Sequence, residues 1–151
     1  MIAHADGTPT VLYDALKTLN REFVAIASEL HSYQCQGVYH CGMLPPGTEP
    51  LPKDALFHID PPVPTMEFKP PQPAKGIMLS FFGPAPNKKR APQPSHVVVV
   101  NLDYNAETSV NLAGPRKLEL FDATSRKWIK AGAKTAQLHL PPGGGKLARV
   151  R

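Results

Sequence analysis

Apolar residues near the start of the chain recur at Leu12, Leu16, Leu19, Phe23, Ile26, Ala27 and Leu30. Those steps of three and four draw one stripe along a helix. Asp14, Lys17, Asn20, Arg21 and Glu29 fall mostly off it. Asp6-Gly7-Thr8-Pro9 reads as the start signal, with Thr8 as N-cap and Pro9 in the first helical position. The helix is expected to end near Ser32, because Gly37 and the β-rich Val38-Tyr39-His40 follow. A helix of about 22 residues is roughly 33 Å long. Its six or so large apolar side chains, at about 1.5–3 kcal/mol each, forfeit on the order of 10 kcal/mol if left wet. The stripe Leu12, Leu16, Leu19, Phe23, Ile26 and Leu30 is therefore expected to face a partner surface, and Leu19→Asp is expected to cost several kcal/mol.

Behind the helix the period changes. Apolar runs and alternating segments at residues 76–82, 96–102, 108–112, 117–121, 127–130, 136–140 and 146–150 read as strands. The breakers between them include Gly114-Pro115, a hairpin turn at Asp122-Ala123-Thr124-Ser125, and Pro141-Pro142-Gly143-Gly144-Gly145. No helical period recurs after residue 32. The expected fold is mainly β: an antiparallel β-sandwich of about 7–8 strands with one long N-terminal amphipathic helix.

Proline sharpens the division of the chain. Of its 18 prolines, 14 lie between Pro45 and Pro94. Pro61-Pro62-Val63-Pro64 and Pro70-Pro71-Gln72-Pro73 exclude regular helix. The expected organisation is an N-terminal helix at 1–32, a Pro-rich connector with short strands at 33–75, and a β-sandwich at 76–151. Residues 87–94 read as an exposed loop. With 42% hydrophobic and 19% charged residues over 151 positions, the composition is that of one globular domain. No apolar run approaches the roughly 20 residues of a membrane span. The N-terminal residues do not read as a secretory signal, and localisation stays open. The formal charge of +5 is dispersed, with Lys88-Lys89-Arg90 the only basic triple. That reads as solvated surface, not as a nucleic-acid or membrane footprint.

Candidate chemistry is sparse. Acid–base catalysis needs two carboxylates in contrasting environments. Glu119 alternates with Leu118 and Leu120 and is expected to point out from a strand, while Asp103 and Asp122 fit turns. His31, Cys35, His40 and Cys41 are potential zinc ligands, but their spacing matches no standard finger. No metal or cofactor is expected; a Cys35–Cys41 disulfide is the readier alternative. Ser80 and Ser95 lack a nucleophile elbow. Gly143-Gly144-Gly145-Lys146 resembles a fragment of a phosphate loop but leads into a strand. Trp128 and Tyr104 are the candidate carbohydrate-stacking residues.

Several phrases resemble the tail of a glycoside hydrolase. His4-Ala5-Asp6-Gly7-Thr8-Pro9-Thr10, then Tyr13, then Leu19-Asn20-Arg21-Glu22, is similar to the segment that forms the last helix of many (β/α)8-barrel glycosidases. Val97-Val98-Val99-Val100-Asn101-Leu102-Asp103-Tyr104, Leu120-Phe121-Asp122-Ala123-Thr124-Ser125-Arg126-Lys127-Trp128 and Leu138-His139-Leu140-Pro141-Pro142-Gly143-Gly144-Gly145-Lys146-Leu147 resemble the C-terminal β-sandwich appended to such barrels, β-galactosidase-like ones among them. The resemblance implies a last barrel helix, a connector and an accessory sandwich. In that class the catalytic carboxylates lie on earlier barrel strands, so no catalytic residue carries over. The implied partner is a catalytic barrel domain, or a second copy met through the helix. A carbohydrate-binding module and a stand-alone interaction protein are the alternatives.

Overall fold

A computed structural model describes residues 2–67, 75–85 and 93–151. The basic triple Lys88-Lys89-Arg90, the segment Pro70-Pro71-Gln72-Pro73 and most of the expected 87–94 loop lie outside the described residues.

Among the described residues, one helix, α1 (Val11–Leu30), precedes eleven strands. They are β1 (Gln34–Leu44), β2 (Glu49–Pro50), β3 (His58–Ile59), β4 (Met66–Glu67), β5 (Gly76–Gly83), β6 (His96–Asn101), β7 (Thr108–Ala113), β8 (Leu118–Asp122), β9 (Lys127–Lys130), β10 (Thr135–Leu140) and β11 (Gly145–Val150). The mainly-β class with a single N-terminal helix is the one the periodicity indicates. All seven expected strands are present, with ends within one or two residues.

The large sheet runs β2-β1-β5-β6-β11-β8-β9, with β4 also pairing β1, and the small sheet runs β10-β7-β3. Pairing is antiparallel except where the two-residue strands β2 and β4 join β1. Strict alternation builds the inner faces. On β10, Ala136, Leu138 and Leu140 are buried while Gln137 and His139 are exposed. On β6, Val97 and Val99 are fully buried. These residues meet Leu79 and Phe81 of β5, Leu112 of β7, and Phe57 and Ile59 from the Pro-rich stretch in one core between the sheets. These nine large side chains contribute about 1.5–3 kcal/mol each on burial.

The expected 33–75 connector needs correction at its start. Gln34–Leu44 is an 11-residue strand in register with β5 from Gln34↔Gly83 to Gly42↔Gly76, broken by one bulge between Cys35 and Gly37. The sandwich therefore begins at Gln34. Only the two-residue strands β2, β3 and β4 match the short connector strands expected. Cys35 and Cys41 lie on this same strand, six residues apart, or about 20 Å along it. A disulfide needs Cα atoms within about 7 Å, and both thiols are free.

The helix also starts later than Thr8-Pro9 indicates. Its N-cap is Thr10, with extended backbone, whose hydroxyl donates to the Ile2 carbonyl at 2.9 Å. Thr8 instead closes a tight turn on Asp6, with its N–H and hydroxyl both donating to the Asp6 carboxylate. The helix ends at Leu30, not Ser32.

Candidate functional site

Helix α1 lies on the outer face of the large sheet, and only its C-terminal part is seated. Ala25 is 2% exposed, packed in one cluster with Phe121 of β8 and Leu147 of β11, and Ile26, Leu30, Val98 and Trp128 close around them. The remaining stripe residues are bare: Leu12, Leu19 and Phe23 are 56%, 62% and 68% exposed, and Leu16 is at the edge of exposure. The expectation of a stripe buried along its length is thus met only at Ile26 and Leu30. The reason is length. Twenty residues of helix make about 30 Å, whereas β8 and β11 run about 17–20 Å. The C-terminal end meets β8 and β11 at Phe121 and Leu147, and toward the N-terminus the helix is flanked by Arg126 of the β8–β9 turn, beside Tyr13, Lys17 and Arg21.

The seated end is held by a polar–aromatic clasp. Trp128 Nε1 donates to Glu29 Oε2 at 2.9 Å. The Arg149 guanidinium stacks over the indole, 4.0 Å from its centroid. Phe121 tilts against the same ring at 5.1 Å and His96 meets it edge-on at 5.7 Å. Tyr33, just past the helix, packs on His96 at 4.2 Å. Arg149 also donates through Nε and Nη2 to Glu119 Oε2, at 2.9 and 2.7 Å. Glu119 was expected to point into solvent from its strand. It does point away from the core, but the outer face there is roofed, and the residue is buried. The Arg149 fork keeps that carboxylate from being a stranded charge.

This arrangement is suited to holding, not to reacting. Ser95 Oγ lies 2.8 Å from His96 Nδ1, but Glu119 is bound to Arg149 and does not orient the imidazole as a base. Burial, and then the Arg149 charge, hold His96 below the ordinary histidine range.

Trp128 is therefore not an open stacking surface: its ring carries Arg149 and its N–H is committed to Glu29. Tyr104 is 70% exposed, on the loop after β6 beside the Gly143 turn. Three strand spacings, β6 to β11 to β8 to β9, put about 14 Å between their elements. The two do not form one platform.

Other candidates resolve into local structure. Asp103 and Glu107 line a hollow of about 240 Å³ with Asn101 and Lys75. Asp103 Oδ1 accepts from the N–H groups of Asn105 and Ala106, and Glu107 Oε2 sits 3.3 Å from His139 Nε2. One carboxylate builds a turn and the other an exposed pair. Among the described residues no cluster of three potential metal ligands occurs. Along β1, His40 and Cys41 project to opposite faces and Cys35 is about 20 Å from Cys41, so they cannot converge with His31 on one ion. Gly143 has φ +63°, and a Cβ on Gly144 would collide with the Pro141 ring. The glycine run is thus a tight turn into β11, with no helix N-terminus behind it. No helix among the described residues is long and apolar enough to cross a membrane.

The chain matches no protein-family model, and comparisons with curated proteins and with solved structures returned no similar protein.

Proposed function

We propose that this chain is a non-catalytic accessory β-sandwich of a (β/α)8-barrel glycoside hydrolase, and that it docks the catalytic barrel through the free half of α1. The observation that carries this reading is the division of the helix. Its C-terminal end is clasped to the sandwich through Ala25, Glu29 and Trp128, while Leu12, Leu16, Leu19 and Phe23 are exposed to water. At about 1.5–3 kcal/mol each, four large apolar side chains on one flank are a surface built for another surface. The sequence phrases that resemble a last barrel helix span the same residues. The sandwich then anchors the helix and sets its angle, and the chemistry belongs to the barrel.

The test is co-expression with a (β/α)8 barrel read from the coding sequence upstream, the two carrying separate tags. A one-to-one complex that Leu19→Asp and Phe23→Asp both break supports the reading. Absence of a complex, or one indifferent to both substitutions, overturns it. A second arm offers the isolated chain a panel of aryl glycosides. Turnover that disappears on replacing a single carboxylate would also overturn it.

A further inference from the structure

We propose that the free half of α1 carries a second docking face, a basic trough that accepts an acidic amphipathic helix of a partner. The face is distinct from the apolar stripe. It lies between the helix and the β8–β9 turn, as a hollow of about 360 Å³. Two rows of side chains four residues apart line it: Tyr13, Lys17 and Arg21 form one, and Leu16, Asn20 and Val24 form the other. Such i, i+4 rows are the ridges of a helix surface, and the furrow between two of them receives a ridge of a second helix. At 100° per residue the trough is centred about 110° around the helix axis from the stripe, with Leu16 at their shared border.

The chemistry of the occupant follows from the walls. Tyr13 and Val24 are 41% and 51% exposed, so the floor is apolar and open. Lys17 and Arg21 of the helix and Arg126 of the turn line it, and none of the lining residues is acidic. An occupant needs an apolar ridge flanked by carboxylates, since a basic ridge would place like charges face to face.

Arg126 adds an independent observation. Its backbone φ is +55°, in the left-handed region that costs a non-glycine residue free energy. Glycine is the usual occupant at such a point of a hairpin connection. An arginine occupies this position against the local preference, and it lines the trough.

The experiment titrates the isotope-labelled chain with a synthetic amphipathic peptide of about three heptads, leucines along one stripe and glutamates beside it. A counterpart with lysines in place of the glutamates is the control. Amide shifts at Tyr13, Leu16, Asn20 and Val24 with the acidic peptide, and none with the basic one, are expected. Lys17→Glu combined with Arg21→Glu should weaken binding about tenfold or more, the scale of two opposed charge contacts. Arg126→Gly should weaken binding while the melting temperature holds or rises, because it relieves the strained φ. Equal binding of both peptides, no binding at millimolar concentration, or shifts confined to Leu12, Leu19 and Phe23 would overturn the proposal. None of these results depends on finding a catalytic barrel.

Discussion

The split helix makes Leu19→Asp and Ala25→Asp a discriminating pair. Both put a carboxylate on α1, six positions apart. Leu19 is 62% exposed, so a charge there stays in water; the change costs about 0.5 kcal/mol, mostly from helix propensity. This revises the several kcal/mol expected from the stripe alone. Ala25 is 2% exposed against Phe121 and Leu147. A carboxylate there is buried among apolar atoms or pushes the helix off the sheet, and the helix docking energy caps the loss. That docking comprises Ala25, half-buried Ile26 and Leu30, and the Glu29–Trp128 hydrogen bond. At about 25 cal/mol per Å² of apolar area and 1.5–3 kcal/mol for a charge-assisted bond, it sums to about 3–5 kcal/mol. For a domain of this size, at about 3 °C per kcal/mol, the melting midpoint should fall about 9–15 °C for Ala25→Asp and under about 2 °C for Leu19→Asp. Trp128 is the only tryptophan and sits in the clasp, so its fluorescence reports helix release directly. Equal losses for the two variants, in a chain that light scattering shows to be monomeric, would refute the division of the helix.

Three further outcomes follow from the clasp and the thiols. Arg149→Ala leaves the buried Glu119 carboxylate with only Arg151, 4.0 Å away, and strips one face of Trp128; it should cost about 2–3 kcal/mol, less than a fully buried pair because a third of Arg149 remains in solvent. Urea unfolding should show that loss, with Arg149→Lys recovering part of it. His96 binds its proton less readily folded than unfolded, so its contribution is intact above about pH 6.5 and drains away as pH falls through its lowered value. Melting curves between pH 7.5 and 5 should show the decline and His96→Gln should flatten it; the lowered carboxyls of Asp6 and Asp122 act only in more acid solution. Burial pushes the Cys41 thiol up to about 11 while Cys35 is exposed, so iodoacetamide at pH 8 should label one thiol in the native chain and both in guanidinium, as read by mass spectrometry.

What the sequence revealed and what it hid divide along contact range. The strands of residues 76–151 were legible because alternation and turn residues are local signals, and β10 states its inward and outward faces residue by residue. β1 was not. Its Gln-Cys-Gln-Gly start and its bulge break the period, and its membership in the sheet is set by β5, whose partner residues lie more than thirty positions away. The clasp was illegible for the same reason. Glu29 and Trp128 are 99 residues apart, and nothing around either names the other. Trp128 is a stacking candidate by residue type alone; Arg149, from the last strand, covers it. The glycosidase resemblance had phrases to rest on, but a fold alone carries no substrate.

The helix itself shows why its stripe was legible while its seat was not. Placed at 100° per residue, the stripe from Leu12 to Leu30 is centred about 70° away from the direction of Ala25, Ile26, Glu29 and Leu30, the residues that meet the sheet. A helix shaped only to roof its own sheet would centre its apolar residues on that contact, and Glu29 would not stand in it. Here the contact is made by a small residue, two shared edge residues and one hydrogen bond. Arg126 of the β8–β9 turn lines the trough, and the stripe lies about 110° around the axis from it. On the outer face of β5 and β6, Val98, Val100, Met78 and Phe82 are partly buried while Ser80 and His96 are buried. The sandwich holds the helix by one edge and leaves its wider apolar face exposed.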